Sequence, residues 1–410
     1  MDQIHPEYQA VKKETDWMSI LQLVFSLGVL AFSILIVLAT IFGKAMVSQT
    51  NLAKDLGASV DPMLVVFACT AFVIGSAALV SAICSGRRMV GKPYPAWLQA
   101  KMAWLYGAIF VLPVFILLGL NLFRIPKYSD AWMPIFSILC IFAAGIWYMR
   151  IGYGRDWGKS PQRDSGLLTF SFGFTTILIM VTELLALAIF GVVFLLITLQ
   201  DPEVRQLILT LPSLLQGVQA DSLTFQKIIQ ELIAKPIVVF ATILLIAFLI
   251  PLIEELLKTI GVFLLKGRNL NPREGMLAGI VSGAGFGIVE GMLFAIQAGP
   301  GTEPITWVIF VIGRAAALIL HIFNGALNGF ALVRFWQNRK AAPLIGTFLI
   351  SLLIHGTWNL ISVLGSTNFL DQSISAGITI SIFLIVFTSY IIFTRKVSSP
   401  TQEIVINNEI

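Results

Sequence analysis

Residues 236–265 read PIVVFATILLIAFLIPLIEELLKTIGVFLL. About 20 apolar residues suffice to cross a bilayer as a helix, so this run is long enough. Its charges are confined to Glu254, Glu255 and Lys258. Counted inward from Lys266 at ~1.5 Å per residue, Glu254 lies about 18 Å deep. An ionisable side chain near the middle of a span costs at least about 2.5–3.5 kcal/mol, which makes it a candidate for function. Pro251, just ahead of the pair, has no backbone N–H and loosens the helix where the carboxylates stand.

The rest of the chain repeats the apolar half of this pattern. Of its 410 residues, 57% are hydrophobic and 12% charged, against about 25% charged in a soluble domain. That balance predicts an all-α polytopic membrane bundle of about ten spans, near 18–42, 62–84, 102–122, 131–149, 167–199, 236–265, 275–298, 304–333, 343–364 and 373–393. The first is too long for a removable signal peptide and reads as a retained anchor. Most of the 27 Lys and Arg residues fall on alternate loops, on the side that holds both ends of the chain. By the positive-inside rule, the N- and C-termini are then cytoplasmic. The net charge of +5 thus reflects topology, and no nucleic-acid partner is expected. Cys69, Cys84 and Cys140 are odd in number and lie in predicted spans, which argues against disulfides.

Residues 200–235 form the longest non-cytoplasmic loop. Phe225, Ile228, Ile229, Leu232 and Ile233 recur in it at helical spacing, capped by Asp221 or Ser222, as in an amphipathic helix lying on the membrane face.

The intramembrane ionisable groups are Glu183, Glu254, Glu255, Lys258, Glu290, Arg314, His321 and His355. Measured from the same side of the membrane, His321 lies about 20 Å in, His355 similarly, and Glu290 about 23 Å. Four polar groups on four successive spans at one depth predict a single polar site. Carboxylates with imidazoles suit acid–base activation of water, or a metal ion. Lys258 is one turn from both Glu254 and Glu255. Phe286 and Glu290 share a face, as do His355 and Asn359, and an Asn amide there is a candidate oxyanion stabiliser. Arg314 is a candidate ion-pair partner for Glu183. Gly275, Gly279, Gly283, Gly287 and Gly291 recur every fourth residue, a spacing that lets a neighbouring helix approach closely.

The ordered set Glu254-Glu255-x-x-Lys258, Phe286-x-x-x-Glu290, His321 and His355 resembles the PrsW-type intramembrane proteases, grouped with the type II CAAX prenyl endopeptidases in a wider superfamily. The resemblance covers roughly 236–366. His355-x-x-x-Asn359 looks like the last motif of the CAAX branch. The resemblance implies a peptide-bond hydrolase, multi-pass in a prokaryotic plasma membrane, acting on membrane-anchored protein substrates. It implies Glu254, Glu255, Glu290, His321, His355 and Asn359 as catalytic, with Lys258, Arg314 and Phe286 in support. A divalent metal such as zinc would fall to Glu290, His321 and His355, although no His-Glu-x-x-His motif is present. Glu254 with His321 would activate water. The expected division is 1–165, four spans without a buried charge; 166–235, the fifth span and outer loop; 236–366, the catalytic core; and 367–410, the last span and tail. A transporter using the buried Glu and Arg residues, or a non-catalytic scaffold, are the alternatives.

Overall fold

The computed structural model describes residues 16–49, 60–99, 103–123, 126–203, 205–206, 209, 231, 235–298, 302–367 and 369–398. The expected amphipathic helix of the outer loop lies outside them. Among the described residues the fold is helical, with no strand.

Among the described residues ten long helices follow in order: α1 (Trp17–Gln49), α2 (Val60–Met89), α3 (Ala103–Leu122), α4 (Pro126–Tyr153), α5 (Pro161–Thr198), α6 (Pro236–Phe263), α7 (Pro272–Phe294), α8 (Pro304–Asn338), α9 (Ala341–Ser366) and α10 (Gln372–Val397). Nine stretches of the described residues are long and apolar enough to cross a membrane. α3 is a 20-residue helix, and its apolar part among the described residues, Val111–Leu122, is shorter. The chain is a multi-pass membrane protein.

Proline sets several helix starts. α5, α6, α7 and α8 each begin on a proline, whose missing N–H is unneeded in a first turn and whose φ is already helical. At α7 a reciprocal cap completes the start: Glu274 N–H donates to Asn271 Oδ1 and Asn271 N–H to Glu274 Oε2.

The helices fall into two compact units that do not follow chain order. The first comprises residues 1–176, 258–344 and 386–410. In it, α7 and α8 meet through glycines on both sides. A Cβ on Gly279 would stand 2.0 Å from the Gly325 carbonyl oxygen, and one on Gly283 would stand 2.1 Å from that of His321. Gly325 and Gly329 face Gly279 and Gly275 in return. In lipid, where apolar side chains gain nothing by leaving solvent, this backbone approach is what holds helices together. α3 and α4 pack on α8 through Trp307, whose indole N–H donates to Ser137 Oγ (2.9 Å) and whose ring covers Gly119. Tyr390 of α10 donates to the Tyr148 carbonyl of α4 (2.8 Å).

The second unit comprises 177–257 and 345–385. α6 is irregular there: Leu244–Leu249 form a π-helical turn between regular segments. α9 packs on that turn, and a Cβ on Gly356 would lie 2.5 Å from the Ala247 carbonyl oxygen. Ser375 of α10 donates to the Ile361 carbonyl of α9 (3.2 Å).

Candidate active site

The π turn explains how the carboxylates of α6 are set. Ile250 N–H bonds the carbonyl five residues back, at Leu245. Pro251 has no N–H to continue that register onto Ile246. The Asn359 side-chain amide supplies the missing donor, bonding the Ile246 carbonyl at 2.9 Å. An unpaired carbonyl inside a bilayer would cost several kcal/mol. Asn359 is thus turned to the backbone that leads into Glu254 and Glu255. This gives it a positioning contact with the backbone of α6.

One turn before Asn359, His355 faces the same segment. Its Nδ1 lies 2.9 Å from Glu255 Oε1. A carboxylate only accepts, so Nδ1 carries the hydrogen. In the neutral ring Nε2 then presents its lone pair, 3.9 Å from Glu254 Oε2. Glu254, Glu255 and His355 are all buried. The separation is too long for a hydrogen bond, yet two ligands each ~2.0–2.2 Å from a zinc ion fit within it. A histidine whose second nitrogen is held by a carboxylate is the usual form of a metal-ligating imidazole.

In the first unit, Lys258 and His321 are buried together. Lys258 Nζ donates to His321 Nδ1 at 3.0 Å. That leaves the ring hydrogen on Nε2, which lies 2.9 Å from Glu290 Oε2. The other carboxylate oxygen of Glu290 is 2.8 Å from Arg314. Phe286 meets the His321 ring edge-on, with centroids 5.2 Å apart, and its own face lies 5.2 Å below the Lys258 ammonium. Arg314 in turn lies over Phe294. The Lys258 carbonyl accepts from Ser282 Oγ at 2.5 Å, and Ser282 meets Ser171.

The residues singled out by sequence therefore fall into two groups. Glu290, Arg314, His321, Lys258 and Phe286 form one; Glu254, Glu255, His355 and Asn359 form the other. Arg314 pairs with Glu290, a partner the sequence did not suggest. Ser282 and Ile246 were missed: a buried serine has no distinctive spacing, and a carbonyl's need for a donor shows only once the π turn is known.

Residues 167–391, more than half of the chain, match the PrsW family of intramembrane metalloproteases. The chain belongs to that family. No curated protein and no solved structure matches it. Membership makes this PrsW-family protein an intramembrane protease, with membrane proteins as its substrate class and the lipid bilayer as its setting. Its buried Glu254 and His355 supply a carboxylate and an imidazole, donors suited to a metal ion.

Proposed function

We propose that the chain hydrolyses peptide bonds of membrane-anchored proteins, with Glu254 and His355 among the residues that hold a divalent cation such as zinc. The observation that carries this reading is the buried series Glu255–His355–Glu254, in which one carboxylate fixes the imidazole and the other lies 3.9 Å from its second nitrogen. Glu290, expected from the sequence to be a ligand, has partners in Arg314 and His321, while Glu254 is the carboxylate that faces the Nε2 of His355. Such an ion, when bound, supplies Lewis-acid polarisation of a carbonyl and acidifies water.

The remaining roles belong to the side chains. Glu255 holds the proton of His355 at Nδ1. Lys258 orients His321 from one edge, and the Glu290 carboxylate lies beside its Nε2 at the other. Arg314 balances the Glu290 charge. Asn359 keeps α6 in register through the Ile246 carbonyl. For His321 to serve as a ligand it must exchange one of its two present contacts.

That same engagement of both His321 nitrogens favours a second reading, in which Glu254 activates water with His355 and no metal. Two measurements separate them. Glu254→Gln should abolish cleavage of a single-span substrate while membrane insertion is kept, and undiminished cleavage would refute both readings. Chelation followed by re-addition of one divalent ion should remove and restore wild-type activity under the first reading only.

The side of the membrane is also part of the proposal: both termini cytoplasmic, in a prokaryotic plasma membrane. Reporter fusions at each end report it directly, and an external C-terminus would overturn it.

A further inference from the structure

Away from the buried charges, a cavity of about 260 Å³ opens where the start of α1, the end of α2, the start of α5 and the segment after α6 come together. In a chain that crosses the membrane at each helix, these four ends lie on one face, so the cavity sits at the membrane–water interface. Among the described residues, its upper lining carries Arg88, Arg163 and Arg268 and no carboxylate. Its lower wall is apolar, built on Leu21, Phe25, Phe170 and Leu264, with the Phe25 and Phe170 rings 5.8 Å apart.

The arginines differ in how they are held. Arg163 is matched by Asp164 at 3.0 Å and Glu274 at 3.4 Å. Arg88 donates from Nη1 to Gln162 Oε1 (2.8 Å). Gln162 is itself fixed by its bond to Ser19 Oγ. Arg88 and Arg268 then share one anionic atom: Asp16 Oδ2 lies 3.7 Å from Arg88 Nη2 and 3.6 Å from Arg268 Nη2. Tight guanidinium–carboxylate pairs close to about 2.7–2.9 Å. Asp16 is therefore a loose neighbour standing where two guanidiniums converge on one oxygen.

We propose that this cavity binds one anionic glycerophospholipid. Its phosphodiester sits between Arg88 and Arg268, and one acyl chain lies along the Phe25–Phe170 wall. Charge complementarity and the amphipathic lining select this occupant: a phosphodiester offers two oxygens to the two guanidiniums, and the apolar wall begins directly below. Basic pockets between helices at the membrane face are suited to such headgroups. Asp16 competes with the phosphate. The lipid would also brace the segment Leu264–Arg268, which follows the helix bearing Glu254, Glu255 and Lys258.

The test uses the purified full chain in neutral detergent, titrated with dioctanoyl phosphatidylglycerol, dioctanoyl phosphatidylcholine or inorganic phosphate. The readouts are thermal unfolding and native mass spectrometry. Phosphatidylglycerol should raise the unfolding temperature and be retained as a single bound lipid, while the other two should do neither. The double substitution Arg88→Gln with Arg268→Gln should weaken retention at least about tenfold. Asp16→Asn keeps an oxygen for the Ser19 N–H that Asp16 Oδ1 accepts (2.6 Å), and should tighten binding by up to about fivefold. Equal retention of phosphatidylcholine, an equal shift with inorganic phosphate, or weaker binding by Asp16→Asn overturns the proposal. The last arm stands even where the double variant does not fold.

Discussion

His321 stands on a helix pressed backbone to backbone against its neighbour, whereas His355 stands on a helix that reaches into a flaw in another. Over its most apolar stretch α7, which receives His321, is 78% buried, against 17% for α9, which carries His355. In the first case the side chain is fixed because two glycine-lined helices leave no room to shift. In the second it is fixed by polar contacts: Glu255 on the ring and, one turn on, Asn359 on the Ile246 carbonyl. Both routes answer the same problem. Lipid offers no hydrophobic drive to press helices together, so precision must come from close packing or from hydrogen bonds that have no better alternative.

The sharpest way to break the comparison is to add volume on the packed side. Gly283→Val should prevent folding altogether, since even its Cβ would overlap the His321 carbonyl oxygen at 2.1 Å. Gly283→Ala should cost at least about 1–3 kcal/mol, the usual range for overpacking. Detergent-solubilised expression and unfolding temperature report both, and a normally folded Gly283→Val would show that the two helices are free to separate.

On the other side the large effect should come from removing a hydrogen bond. Asn359→Leu leaves the Ile246 carbonyl without that donor and should cost about 1–3 kcal/mol. Pro251→Ala restores a backbone N–H at the fault. The double variant should therefore recover much of the loss, giving a coupling energy of about 0.5–3 kcal/mol in a double-mutant cycle. Simple additivity would mean that Asn359 does not stand in for the missing N–H.

Glu255→Gln keeps an acceptor for His355 Nδ1 but removes the charge. Metal affinity should fall about 10–100-fold, as for other partners of ligating imidazoles, with the fold unchanged by circular dichroism. Equal metal binding by the variant would detach Glu255 from that role. The smallest change is a control. Gly346, on the same helix as His355, has nothing within 4 Å of a Cβ. Gly346→Ala should be neutral or stabilise by up to about 1 kcal/mol in a thermal melt, in contrast to Gly283→Ala.

Much of the fold was legible because a bilayer simplifies the code. Apolar length marks each span, and the helices follow the predicted spans closely. The Gly275–Gly291 ladder foretold close approach, though not that Gly325 and Gly329 on α8 would complete it from the other side. The candidate site was legible as a list, because charges are conspicuous in apolar surroundings. Its pairings were less so: the contact of Arg314 with Glu290 was not foreseen from the sequence.

Residue type and depth, then, were properties of the sequence alone. They follow from the cost of burying charge and from a fixed rise per residue, which need no knowledge of neighbours. Which nitrogen of each histidine carries its hydrogen, which carbonyl Asn359 serves and which carboxylate Arg314 balances were decided by tertiary structure. Those outcomes depend on helix rotation and on the extra residue in the π turn of α6, and a shift of one residue turns a side chain by about 100° around its helix.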